Sequence, residues 1–139
     1  MDFALSEELA AVKELVHEFA EKEIAPSAAQ DDREHVFRRD LVTKMGELGF
    51  FGCVIPEEYG GTNLGFLALA LISEEIARAH SAIRVYINMQ VGPAVTLSEY
   101  GSEELKKKYL PGLVSGQSLG CFAITEPDAG SDVAAMRAT

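Results

Sequence analysis

Apolar residues recur every three or four positions along most of this chain, and each run is closed by a proline, a glycine or a polar cluster. That spacing lays them on one side of an α-helix. Leu9, Val12, Leu15, Val16, Phe19 and Ile24 form the first stripe. Ser6 stands before it as N-cap, Glu7 and Glu8 occupy the first turn, where the helix dipole favours acids, and Pro26 marks the end. Residues 27–36 are polar and read as a connection. A second helix is expected over about 38–48, with Leu41, Val42, Met45 and Leu48 inward and Gly49 as a left-handed C-cap. Phe50 to Ile55 is apolar and is broken by Pro56, and Glu57-Glu58-Tyr59-Gly60-Gly61 reads as a loop.

A third helix is expected over about 64–79, with Leu67, Leu71, Ile72 and Ile76 as its stripe and a Glu74–Arg78 pair four residues apart. A fourth starts at Ser81 as N-cap and runs to about Tyr100, with Ile83, Ile87, Val91, Val95 and Leu97 on its apolar side. Gly92-Pro93 should bend or stop it locally. A fifth follows Ser102, with Glu103 and Glu104 first and Lys106 to Lys108 later, an order that suits the dipole. Pro111 and Gly112 should end it. The bulk of the chain is therefore all-α.

The totals exclude several classes. A net charge of −10 argues against nucleic acid and against an anionic membrane surface. No apolar run is long enough to span a bilayer, and no basic segment followed by an apolar one suggests a signal peptide. Cys53 and Cys121 lack a C-x-x-C partner and sit in apolar contexts, so both read as buried free thiols of a reducing compartment. His17, His35 and His80 have no ligand spacing, so no metal site is expected, and they read as surface or boundary residues.

After the helices comes a different kind of stretch. Leu119 to Ile124 is an apolar run of strand length, closed by Pro127. Asp128-Ala129-Gly130-Ser131-Asp132 reads as a tight turn, with Gly130 able to take positive φ and the Asp and Ser side chains folding back onto nearby backbone. Outward N–H groups of such a turn suit an anion or the polar edge of a flat ring, and Thr125 adds a hydroxyl that donates and accepts. On the residues alone a strand followed by a solvated turn is the plainer reading, since such pairs are common. The glycine spacings of a P-loop and of a dinucleotide fingerprint are both missing. A lone strand needs a partner for its edge, which suggests that a neighbouring segment follows Thr139.

The run Phe122-Ala123-Ile124-Thr125-Glu126-Pro127-Asp128-Ala129-Gly130-Ser131-Asp132 closely resembles the flavin-binding signature of the acyl-CoA dehydrogenase family. Ile55-Pro56-Glu57-Glu58-Tyr59-Gly60-Gly61 resembles a structural landmark in the helical domain of the same family. The resemblance implies a helical, orthogonal N-terminal domain over residues 1–118. Residues 119–139 would then be the first strand and turn of the middle β-domain. It implies FAD as cofactor, with Thr125 at the flavin edge, Phe122, Ala123 and Ile124 lining it, and Ser131 near the flavin phosphates and the pantetheine. It further implies α,β-dehydrogenation of an acyl-CoA thioester, an electron-transferring flavoprotein as acceptor, a homotetramer, and a cytoplasmic or mitochondrial-matrix location. The catalytic base of the family is a glutamate of a later helical domain. No residue here matches it, so no catalytic residue is assigned and this chain alone is expected to be inactive. Glu126 and Asp132 are turn residues, which more often hold local hydrogen bonds.

Arg84 and Asn88 are four apart, so on a helix they share a face that can offer a carboxylate a two-pronged donor and an amide. An ordinary ion-paired surface arginine fits the residues equally well. The surrounding Ala77-Arg78-Ala79-His80-Ser81-Ala82-Ile83-Arg84, Gln90, and Leu119-Gly120-Cys121-Phe122 resemble one branch of the family, the glutaryl-CoA dehydrogenases. There an arginine at this place pairs with the free carboxylate of the acyl group. Some decarboxylating members carry serine directly after it, whereas Val85 stands here, so oxidation with or without decarboxylation both stay open. The alternatives are a short-chain or cyclic acyl-CoA dehydrogenase and, from another class, a non-catalytic helical interaction module.

Overall fold

A computed structural model describes residues 4–138. Among them are six α-helices: α1 (Glu7–Phe19), α2 (Ala28–Glu34), α3 (Arg39–Glu47), α4 (Phe66–Ala79), α5 (Ser81–Tyr100) and α6 (Glu103–Val114). The expected caps close two of them. Ser6 Oγ accepts from the Leu9 amide at 3.2 Å and Ser102 Oγ from the Leu105 amide at 3.4 Å. At α5 the cap is His80 rather than Ser81: its Nδ1 accepts from the Ala82 amide at 3.2 Å. Gly49 takes the left-handed conformation expected after α3, with φ of 77°.

The helices meet through two apolar clusters. Val16, Phe19, Leu41, Met45, Phe50, Phe51, Ile72, Ile76, Ile83 and Ile87 belong to the larger, which joins α1, α3, α4 and the first half of α5. Phe19 and Phe50 meet edge to face, 5.5 Å between centroids. Ile55, Tyr59, Ala94, Leu110, Leu113 and Val114 form the smaller, between the second half of α5 and α6. Tyr59 also donates its hydroxyl to Glu103 at 2.9 Å, and the carboxylate beside it pushes the phenol up to about 12. Ile55 and Tyr59 thus brace α6 from within the Ile55–Gly61 loop, in keeping with a structural role.

Several expectations are corrected by packing. Residues 27–36 are not a plain connection, since α2 forms there without burying any residue. It is held by polar contacts instead: the Ser27 carbonyl accepts from Gln30 and Asp31, and Arg38 reaches Asp31 and Asp40 at 2.9 and 2.7 Å. The bonds from Ser27 and Arg38 hold the Asp31 carboxyl below the usual range. The first helical run reaches Ile24 and buries it as expected, but over Ala20–Ile24 it widens into one π turn. Leu15, Leu48 and Leu67 lie on stripe edges and stay exposed, while Gly46 and Ala68 take inward places.

Neither internal proline ends its helix. Pro93 lies within α5 and Pro111 within α6, which continues to Val114. Burial of Leu110, Leu113 and Val114 outweighs one lost helical hydrogen bond. The end of α6 is then pinned by Ser118 N–H to Gly112 at 2.9 Å and Gly116 N–H to Leu113 at 3.2 Å. Cys53 is buried, which pushes its thiol up to about 11, but Cys121 is exposed, against expectation. No described helix is long and apolar enough to cross a membrane.

Glu75 is the one buried carboxylate among the described residues, on the α4 face that meets α1. It bonds His17 Nδ1 at 3.0 Å and Arg78 Nε at 3.1 Å, with Lys13 at 3.7 Å. Arg78 continues to Glu21 at 2.7 Å, so the expected Glu74–Arg78 pair is replaced, and Glu74 faces Lys13 at 3.7 Å. The His17 bond is the main reason the Glu75 carboxyl lies below its ordinary value. Burial opposes the shift and Arg78 adds to it.

Two outcomes follow for stability. A depressed folded-state carboxyl contributes stability that is present above its unfolded value and lost as pH falls through the folded one. Glu75→Gln should therefore lower stability at pH 7 by about 1 kcal/mol and flatten the decline as pH falls through and below the ordinary carboxylate range, as read by urea melts across pH. Gly46→Ala should cost about 1–3 kcal/mol, because a Cβ there would overlap the Ser115 carbonyl. Thermal unfolding of the variant checks it.

Candidate functional site

After α6 the chain turns back along α5, and α5 is built to receive it. Pro93 has no N–H for the carbonyl of Met89 four residues earlier. The Gly120 backbone lies against that carbonyl and against the Pro93 ring, where a Cβ would not fit. Gly92 leaves room for the Phe122 ring, whose atoms would come within 2.8 Å of a Cβ placed there. Between them Gln90, only 2% exposed, donates to the carbonyls of Leu113 and Ser118, each at 2.9 Å, and accepts from the Gly120 amide at 2.6 Å. Two hollows flank the track. One of about 230 Å³ is bounded by Phe37, Tyr86, Met89, Gln90 and Leu119. The other, of about 410 Å³, is bounded by Pro93, Thr96, Tyr100, Cys121 and Phe122.

Beyond Gly120 the character changes. The main-chain N–H groups of residues 121–125 make no hydrogen bond among the described residues, and the expected strand over Leu119–Ile124 has no ladder there. The reason is physical: a strand is defined by its neighbour, and among the described residues no second extended segment lies beside this one. Phe122 and Ile124 remain about half exposed, and Ala123 and Thr125 are exposed. The Thr125 side chain has no hydrogen-bond partner among the described residues. Apolar side chains, unpaired amides and a free hydroxyl thus share one short segment.

The turn lies earlier than expected, over 126–129 rather than 128–132. Pro127 and Asp128 are its corners: Glu126 and Ala129 exchange N–H···O bonds of 2.8 and 3.3 Å. Pro127 suits the first corner because its φ is already set. Gly130 is not among the positive-φ glycines, so its expected conformation is corrected. The back-bonding comes not from Asp or Ser but from Glu126, whose carboxylate accepts from the Arg137 and Ala138 amides at 2.9 and 2.8 Å. Asp128 faces Arg137 at 3.8 Å. Ser131 is exposed.

Arg84 and Asn88 lie on α5 upstream of this track. Arg84 is half-buried, and its guanidinium makes no ion pair or hydrogen bond among the described residues. Asn88 is exposed. No hydrogen bond links either to Thr125 or Ser131 among the described residues. Among the described residues no cluster of His, Cys, Asp and Glu could hold a metal ion. Sequence reasoning missed the anchoring role of Gln90. A glutamine on an otherwise apolar helix face, four residues from Ala94 and three from Ile87, was the available signal.

Residues 6–117 match the family described as "Acyl-CoA dehydrogenase, N-terminal domain". The glutaryl-CoA dehydrogenase of Desulfococcus multivorans is 56% identical over 143 aligned residues, which take in all of this chain and 37% of that protein. A solved glutaryl-coenzyme A dehydrogenase in complex with glutaryl-CoA superposes with a TM-score of 0.95 at 56% identity, over 98% of this chain and 35% of the other. An acyl-CoA dehydrogenase from Bacillus anthracis, complexed with FAD, superposes at 0.85 with 34% identity, over 95% of this chain and 23% of the other. The chain therefore belongs to the acyl-CoA dehydrogenase family, as its helical N-terminal domain. It spans about a third of the length of the curated relatives it matches.

The Glu126 contacts define a local role with its own check. Glu126→Ala should speed amide hydrogen exchange at Arg137 and Ala138 several-fold. Global stability should change by less than about 1 kcal/mol, since both amides are at an exposed site.

Proposed function

We propose that this chain is the N-terminal portion of an FAD-dependent acyl-CoA dehydrogenase that oxidises the α,β bond of a dicarboxylic acyl-CoA, glutaryl-CoA, with or without decarboxylation. Residues 1–118 are its helical domain and residues 119–139 open the middle β-domain. The match to the family domain ends at residue 117, just before that boundary. The observation that carries the reading is the signature segment on α5, whose N–H groups from 121 to 125 and Thr125 hydroxyl are unpaired beside exposed apolar side chains. The 56% identity to a glutaryl-CoA dehydrogenase over the whole chain supports glutaryl-CoA as the substrate.

The residues present fit a flavin. A flat heteroaromatic ring with polar edges needs an apolar face and a few donors, and residues 122–125 offer both. Phe122, Ala123 and Ile124 would pack against the ring, and Thr125 would hydrogen-bond its edge. Ser131 would hold the phosphates and the pantetheine. Once bound, a flavin would supply a hydride acceptor for the β-hydrogen, and the carboxylate base for the α-proton would come from outside these residues. This chain's part is to seat the ring and to select the substrate. Arg84 is suited to the latter, because a half-buried guanidinium without an ion pair retains its capacity to fork onto a carboxylate. Asn88 would add an amide donor. An electron-transferring flavoprotein as acceptor, a homotetrameric assembly and a cytoplasmic location complete the proposal on family resemblance.

In the full-length enzyme, Arg84→Ala should reduce kcat/KM for glutaryl-CoA by roughly 10–100-fold, the loss of a charge-assisted pair. Turnover of butyryl-CoA should change less than about threefold. Equal losses on both thioesters would defeat the dicarboxylate assignment.

A further inference from the structure

We propose that Gln90 is a positioning residue for the cofactor: its side-chain amide sets where residues 118–122 lie along α5, and so where Phe122–Thr125 meet the flavin. The inference rests on the flavin reading above and adds to it the group that fixes the register.

All three hydrogen bonds of the Gln90 amide go away from its own helix. Two reach the carbonyls of Leu113 and Ser118, and one comes from the Gly120 amide, at 2.9, 2.9 and 2.6 Å. They are the last side-chain hydrogen bonds to the segment before residues 121–125, whose amides bond nothing among the described residues. Placement of Thr125 is therefore inherited from Gly120 and from the Phe122 ring against Gly92. The fit tolerates little sliding. Gly120 lies where a Cβ would overlap the Met89 carbonyl, so only a glycine can stand beside Gln90 at that step. A shift of one residue would present Ile124 or Glu126 where Thr125 stands, replacing a hydroxyl by a methyl group or a carboxylate.

Gln90 is also suited to this chemically. An amide offers a donor and an acceptor on one rigid plane, so it can fix a carbonyl and an N–H of the same passing strand of chain at once. A carboxylate would repel the two carbonyls, and an apolar residue of equal size would leave three polar groups unsatisfied.

The test uses the full-length protein, stripped of flavin and titrated with FAD, with binding followed by quenching of flavin fluorescence at a temperature below every melting transition. Gln90→Met should weaken FAD at least tenfold and alter the visible circular dichroism of the flavin that does bind. Gly120→Ala, which displaces the segment from the Met89 carbonyl while keeping the Gln90 side chain in place, should do the same and serves if Gln90→Met does not fold. Glu75→Gln, at the distant α1–α4 contact, should lower the melting temperature and leave FAD affinity and spectrum unchanged. Wild-type affinity and spectrum in Gln90→Met, whatever its melting temperature, would overturn the positioning role while leaving the flavin reading intact. A wild-type protein that takes up no FAD would remove the flavin reading itself, and this inference with it.

Discussion

Gln90 sits on the inward side of α5 with Ile87, Val91 and Ala94, where an unsatisfied amide would cost about 1–3 kcal/mol. Its hydrogen atoms and its oxygen find partners only because the end of α6 and the chain after it run directly past. The path of residues 113–120 and the burial of this amide therefore require each other. The rest of the arrangement follows from that junction. α6 can run through Pro111 to bury Leu113 and Val114, and Gly120 can settle against the Met89 carbonyl that Pro93 leaves without a helical donor. The chain is then released beside α5 with its amides free.

The other half of the domain is held differently. The α1–α4 contact combines an apolar interface with a ring of charges in which Glu75 is buried and His17, Arg78 and Lys13 surround it at half-exposed positions. Surface pairs of this kind contribute little singly. A buried carboxylate with several donors is a sensitive point, because removing the donors leaves a charge without water. The two halves thus depend on pH unequally: the Gln90 junction has no titrating group, while the Glu75 contact weakens as its carboxyl protonates.

Much of the fold was readable from residue spacing. Helical stripes located α1, α3, α4, α5 and α6, and Ser6, Gly49 and Ser102 marked ends that the structure keeps. What spacing could not locate was α2, which has no apolar face and is held by Ser27 and Arg38. Local rules also overstated the prolines. Pro93 and Pro111 were expected to interrupt their helices, yet packing on both sides of each carries the helix through. Leu15, Leu48 and Leu67 were placed inward by period alone, but a stripe does not say how wide its partner is. For the candidate site, the signature residues and Arg84 were legible as a motif. The turn centre at Pro127–Asp128, the role of Glu126 and the anchor at Gln90 were not.

Periodicity, caps and one dense motif determined, without coordinates, that this chain is a helical domain leading into a different kind of segment. Those features act through neighbours a few residues apart, so they can be read along the chain. Only tertiary structure decided which polar residue would be buried, which glycines had to be glycine, and whether residues 119–124 would form a strand. Each depends on atoms brought close from distant positions: Gln90 meets Gly120, Gly46 meets Ser115, and residues 119–124 meet no partner strand among those described. A hydrogen bond or a steric limit of that kind exists only once the chain has folded back on itself.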